Sequence, residues 1–182
     1  ERVKMKLTKL ERRDKLIIQS VSALNDLEKI VNTMTERLRE WYGLHYPELE
    51  IKDHERFVKT IVEAGHRENM KDFKQSMGMN LTEEDVEVLR QYAMGLKELY
   101  EAKKSLERYL ERTVPHEIPN LNALLGSILA ARLLAQAGSL EKLAKMPSST
   151  IQLLGSEKAL FRYLKSKETS KPPRFGILFL HP

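Results

Sequence analysis

Stepping through the first forty-two residues by alternating fours and threes gives Val3, Leu7, Leu10, Asp14, Ile17, Val21, Leu24, Glu28, Val31, Thr35, Leu38 and Tyr42; nine of these twelve are apolar. A 3.5-residue repeat is the seam of a coiled coil, because slight under-winding keeps one stripe facing a partner helix. Neither Gly nor Pro occurs in residues 1–42. At 1.5 Å per residue such a helix runs about 60 Å, too long for a small core to cover. It requires a partner of similar length.

The partner lies downstream. "LTEEDVEVLRQYAMGLKELYEAKKSLERYLERTV" opens on Thr82 as N-cap, with acidic residues in the first turn where the helix dipole favours them. Leu89, Tyr92, Leu96, Leu99, Lys103, Leu106 and Leu110 repeat the three–four spacing. The pair predicts an antiparallel hairpin. Asp14, Glu28, Thr35 and Lys103 on the tracks then either set register, bind a second copy, or point to solvent from a displaced seam. The connector from Trp41 to Leu81 exceeds a tight turn. "WYGLHYPELE" gathers the single Trp with Tyr42 and Tyr46, and predicts a small packed knob where the chain reverses. "DHERFVKTIVEAG" reads as a short helix started by Asp53, ended by Gly65, with Phe57, Ile61 and Val62 inward. "HRENMKDFKQSMGMN" has weak periodicity and is expected to be a mobile loop.

After "VPHEIPN", whose two prolines mark a boundary, the pattern changes. Leu121, Leu124, Leu125, Ile128, Leu129, Leu133 and Leu134 cover more than one helix face and predict a core helix up to Gly138. Ser139 caps the next short helix, "LEKLAK". "STIQLLG" is expected to be extended or a turn. Ser156 is expected to cap a helix over about 157–165, "KSKETSKPP" to form a flexible basic loop, and "RFGILFL" to form a strand. The window Leu121–Gly138 is the most membrane-like, but Arg132 lies inside it. An Arg near a membrane-helix centre costs about 2.5–3.5 kcal/mol, so a buried helix of a soluble domain is expected, with no membrane partner.

Charge divides the chain. Residues 1–114 hold 22 basic and 22 acidic side chains, whereas residues 115–182 hold 9 and 4, the whole of the net +5. An acidic partner is therefore expected to meet the second part. The chain has no cysteine, which excludes disulfides, thiol catalysis and Cys-based zinc sites and fits a reducing compartment.

"LLGSEK" suggests a phosphate cradle but fails on spacing. The NTPase loop needs G-x-x-x-x-G-K-[ST]; here the preceding Gly is Gly138, and Ala159 follows Lys158. The histidines His45, His54, His66, His116 and His181 are scattered, so surface or capping roles are expected. No nucleophile–base set can be named, and no catalytic site, metal or cofactor is expected. Nucleic-acid binding remains. Lys158, Arg162 and Lys165 form one stripe at i, i+4 and i+7, opposite Ala159, Leu160 and Leu164. The helix start at Gly155-Ser156-Glu157 offers amides to a phosphate. Lys167, Lys171 and Arg174 add a basic flank, and Phe175 or His181 offers a ring to a base. An ordinary amphipathic helix with a solvated face carries the same pattern.

From Leu121 onward the segment order resembles the Nop-domain family, found in scaffold proteins of box C/D ribonucleoproteins and in a spliceosomal relative. The resemblance rests on "PNLNALLGSILAARLLAQAGSLEKLAKMPSSTIQLLGSEKALFRYLK" and "KPPRFGILFLHP". Upstream, "REWYGLHYPEL" and "FVKTIVEAG" resemble the family's coiled-coil tip, and archaeal members are the most similar. The implied fold is mainly all-α: a long antiparallel coiled-coil hairpin, then a partial helical Nop domain with at most a short strand. Residues 1–114 are expected to form the dimerisation domain, with its tip at about 41–81, and 115–182 the Nop domain.

The resemblance implies a scaffold without catalysis of its own. Such proteins dimerise through the coiled coil and clamp a kink-turn box C/D guide RNA with its ribosomal-like binding protein. They position fibrillarin for guided 2′-O-methylation, in the archaeal cytoplasm or the eukaryotic nucleolus. The family's "GAEK" appears as Gly155-Ser156-Glu157-Lys158, and His181 matches a position where the spliceosomal relative stacks a ring on a base. The family's fibrillarin-binding N-terminal domain and the helices beyond "HP" are expected to lie outside this sequence, which would then dimerise without recruiting fibrillarin. The rival reading is a coiled-coil interaction protein with a basic tail for acidic proteins or membranes.

Overall fold

The computed structural model describes residues 13–71, 73–166 and 171–180. Among them the secondary structure is helical throughout, with no strand. The elements are α1 (Arg13–Gly43), α2 (His54–Ala64), a 3-10 turn (Arg67–Asn69), α3 (Glu83–Glu117), α4 (Pro119–Leu125), α5 (Ser127–Ala137), α6 (Leu140–Lys145), α7 (Ser148–Leu153), α8 (Glu157–Lys165) and a second 3-10 turn (Ile177–Leu180). The chain divides into two compact units, residues 25–105 and residues up to 24 together with 106 onward.

In the 25–105 unit, α1 and α3 pack antiparallel. Trp41 meets Tyr92 edge-on at 6.0 Å, and Thr35 Oγ1 lies 3.0 Å from Tyr100 Oη. Val31, Thr35, Leu38 and Tyr42 are all buried, as the heptad track requires. Thr35 also donates to Val31 O at 2.6 Å, so its seam hydroxyl is spent inside the chain. On α3 the seam is displaced. Val86, Leu89, Ala93, Leu96 and Tyr100 are buried, while Tyr92 and Leu99 are half-buried flanks. Two three–four tracks share Leu89 and Leu96; packing takes the one through Ala93, which is buried in the same cluster as the connector's Phe57, Val58 and Ile61.

That connector is a packed knob. Asp53 Oδ1 accepts the Arg56 amide at 2.6 Å to start α2, and Gly65 ends it at φ 60°. Thr82 and Asp85 cap each other at the start of α3: the Asp85 amide donates to Thr82 Oγ1, and Asp85 Oδ2 accepts from both the Thr82 amide and hydroxyl. These bonds hold the Asp85 carboxyl below its usual range. The segment 66–80 differs from the expected mobile loop. Arg67 is buried, Phe73 meets Tyr46 at 5.6 Å, and Glu48 accepts from Ser76 Oγ and the Met77 amide. Weak periodicity misleads here because the order comes from backbone carbonyls gathered around one guanidinium.

In the second unit, Ile17, Val21 and Leu24 of α1 pack with Leu110, Val114 and Ile118, and with Ala130, Ala131 and Leu134 of α5. Asp14 Oδ2 accepts the Leu140 amide at the start of α6, while Lys15 Nζ donates to Gly138 O. The first proline of the expected boundary lies inside α3, within its last turn, where the carbonyl it leaves unpaired belongs to the exposed Glu111. The expected single core helix over 121–138 is broken by Gly126 at φ 73° into α4 and α5. Gly138 in the left-handed region ends α5, and Ser139 Oγ accepts the Lys142 amide. "STIQLLG", expected to be extended or a turn, lies largely in helix α7, with only its last two residues beyond the helix.

Candidate nucleic-acid interface

The turn between α7 and α8 is fixed by a second segment of chain. Leu154 is buried with Leu133, Ala137 and Leu143, and Ile177 and Leu178 pack against this group. The Gly176 amide donates to Gln152 O and the Ile177 amide to Leu154 O, both at 2.7 Å, while Gln152 Nε2 donates to Arg174 O. A Cβ on Gly176 would lie 2.0 Å from Leu154 O, so nothing larger fits. "RFGILFL" therefore does not form the expected strand: its one short pairing is to a turn, and residues 177–180 coil into a 3-10 turn. The glycine inside that apolar run was the available signal.

Gly155 adopts φ 85°, the left-handed conformation that glycine takes without cost. Ser156 does not cap α8 as expected. Its Oγ turns back to donate to Leu153 O at 2.6 Å, and its amide donates to the same carbonyl. The Gly155 amide donates to Glu157 Oε1 at 2.8 Å. The amides of Gly155 and Ser156, expected to be open to a phosphate, are thus engaged. On α8 the cations Lys158, Arg162 and Lys165 all face solvent, as does Glu157, and Arg162 and Lys165 complement the helix C-terminus. No residue of α8 is buried. Leu160 and Tyr163 are half-covered, and Ala159, Phe161 and Leu164 are exposed.

Beside this turn, Phe175 and Phe179 stack with ring centroids 5.8 Å apart and planes inclined by 28°. They line a groove of about 310 Å³ with Gln136, Gly155, Ser156 and Leu180. Phe175 was expected as a ring donor; Phe179, Gln136 and Gln152 carried no sequence signal. Arg174 is exposed, its carbonyl tied to Gln152, and Lys171 is exposed. His181 and Lys167 lie outside the described residues.

Other expected chemistry resolves differently. His45 is not a surface group but fully buried in the knob. Among the described residues no group of three or more His, Asp or Glu is placed to hold a metal ion, and no helix is long and apolar enough to cross a membrane.

Residues 23–182 match the family described as Nop, snoRNA binding domain, fibrillarin. An uncharacterized NOP5 family protein of Methanocaldococcus jannaschii is 42% identical over 94% of this chain and 46% of its own length. Nucleolar protein 58 of Schizosaccharomyces pombe is 39% identical over 91% of this chain and 36% of its own, and human nucleolar protein 56 is 37% identical over 98% and 34%. The chain thus spans less than half the length of these relatives. A chain in the crystal structure of a fibrillarin/Nop5p complex shares the fold, with a TM-score of 0.56 at 24% identity, covering 98% of this chain and 52% of that one. With the pinned GSEK turn and all of α3 inside the matched span, which takes in most of the chain, this chain belongs to the Nop family.

Proposed function

We propose that this chain is the coiled-coil and RNA-gripping portion of a non-catalytic box C/D ribonucleoprotein scaffold. In this reading residues 1–114 dimerise, and residues 115–182 grip a kink-turn RNA together with its ribosomal-like binding protein. Contact with fibrillarin, the 2′-O-methyltransferase, is assigned to family regions other than these 182 residues. The observation that carries the reading is the solvent-facing stripe Lys158, Arg162 and Lys165 on a turn held rigid by Gly176, within a span matching a snoRNA-binding family. The cations supply phosphate contacts. Phe175 and Phe179 supply faces of the kind on which unpaired bases stack. Gly155, Ser156 and Glu157 shape the turn, and Arg174 and His181 extend the contact in sequence.

The test is a gel shift with box C/D kink-turn RNA, with and without the kink-turn-binding protein. Wild type is expected to shift the RNA tightly when that protein is present, and Lys158→Ala to weaken the shift. Equal binding to random polyanions or anionic vesicles would instead support the rival basic-tail reading.

A further inference from the structure

His45 sits just past the end of α1, is fully buried, and uses both ring nitrogens. Nδ1 lies 3.1 Å from Met79 O, and Nε2 accepts the Arg67 amide at 3.3 Å. Accepting an N–H at Nε2 requires that nitrogen's lone pair, so the ring is the neutral Nδ1–H tautomer, donating to Met79 O. Arg67 completes the enclosure: its guanidinium donates to His45 O at 2.6 Å, to Gly78 O at 3.0 Å, to Met79 O and to Asn80 Oδ1. The two residues tie three stretches of chain together, the end of α1, the turn at 66–69 and the segment 78–80.

We infer that His45 is a proton-sensitive latch, holding segment 66–80 in place only while its imidazole is neutral. A proton arriving at Nε2 would face the Arg67 amide donor to donor and add charge beside a buried guanidinium. The neighbours are weighted against it. From α1, the Tyr42 ring lies edge-on at 5.7 Å. From the 66–69 turn, His66 lies at 4.6 Å, Arg67 is cationic, and Glu68 alone among them favours the proton. From 78–80 come carbonyls and the uncharged Asn80. Burial, offset in part by the Met79 bond, then His66 and Arg67, lower the ring's affinity for protons below the ordinary histidine value.

Met79 also donates its amide to Leu44 O at 2.8 Å, which ties segment 78–80 to the end of α1 a second time, and the side chains of Leu44, Met77 and Met79 are each exposed. The other tether, Glu48 to Ser76 and Met77, keeps its carboxyl ionised to below the usual range and so releases later in an acid titration. The sign follows from the lowered affinity. The stabilisation is complete above the ordinary histidine value of about 6.5 and is lost progressively as pH falls below it, because the opened chain takes up the proton first.

The experiment is amide exchange of the full 182-residue chain between pH 7.5 and 4.5, corrected for intrinsic rates, with Trp41 emission as a second readout. Protection of the Arg67 and Met79 amides is expected to fall by up to about tenfold per pH unit below about 6.5, levelling off where the closed ring itself takes up the proton. His45→Gln, which keeps a donor and an acceptor, is expected to flatten that dependence, and His66→Gln to retain it. Because His45→Gln could itself disturb folding, the wild-type His45 Cε1–H resonance is followed in parallel, and its midpoint is expected below 6.5. Protection unchanged down to pH 4.5, an undiminished fall in His45→Gln, or its loss in His66→Gln would each overturn the latch.

Discussion

The knob at 41–81 and the segment at 148–180 are built from similar parts and reach opposite results. Each has a glycine pressed against a carbonyl and aromatic rings near cations. In the knob the polar groups turn inward: His45 and Arg67 are buried and bonded to backbone, and the Tyr42 hydroxyl donates to Gly65 O at 2.9 Å, burial pushing its proton affinity up. In the later segment they turn outward: Phe161, Leu164, Phe175 and Phe179 are more than half exposed, beside an uncovered row of Lys and Arg. Buried polar groups must be satisfied within the molecule, which fixes a shape. Exposed aromatics beside cations leave bonding capacity for something else. The first arrangement is architecture; the second leaves apolar rings and cations facing solvent.

The sharpest way to break this contrast is at the two glycines. A Cβ at position 78 would lie 2.2 Å from His45 O and 2.8 Å from Pro47 Cδ, in the middle of the Arg67 cluster. Gly78→Ala is therefore expected to cost about 3 kcal/mol, read as a lower urea midpoint, by displacing carbonyls that a buried cation needs. Gly176→Ala meets an equally close carbonyl but detaches a half-exposed turn. Its cost should be smaller and appear chiefly as faster exchange of the Ile177 amide. Equal costs at the two sites would remove the distinction.

A smaller effect tests the hairpin's polar seam. Thr35→Val keeps the shape and strands the Tyr100 hydroxyl, which is nearly buried. About 1–2 kcal/mol should be lost in thermal unfolding, and Tyr100→Phe in the same background should recover part of it. Full additivity of the two substitutions would mean the pair does not set register.

How far these regions could be read beforehand follows the same divide. The α1 seam was legible at every track position from Ile17 to Tyr42 but Glu28, which is only half-buried, because one heptad track runs there without a competing one. The α3 seam was not, because Leu89 and Leu96 belong to two tracks and only packing against Phe57 selects Ala93. Asp53, Thr82, Gly138 and Ser139 showed themselves as caps, since capping is local chemistry. Ser156 did not, because its hydroxyl found Leu153 O and a Glu one residue later took the neighbouring amide. His45 was invisible for a related reason. Its partners are 22 and 34 residues away, and nothing in a sequence neighbourhood announces them. The α8 helix over 157–165 emerged as expected, with Lys158, Arg162 and Lys165 exposed, but Ala159 and Leu164 on the expected opposite face are exposed as well.

The smallest stability effect belongs to that stripe. Arg162 is exposed, on a helix with no buried residue, so Arg162→Ala should change the unfolding midpoint by less than about 0.5 kcal/mol. If the stripe meets phosphates, the same substitution should weaken RNA binding similarly across sequences and lower the slope of log K against log salt by about one. Gly78→Ala should do the reverse, lowering stability while leaving the salt slope unchanged. A stability loss at Arg162 with no change in slope would assign this side chain to packing, and the segment would then resemble the knob after all.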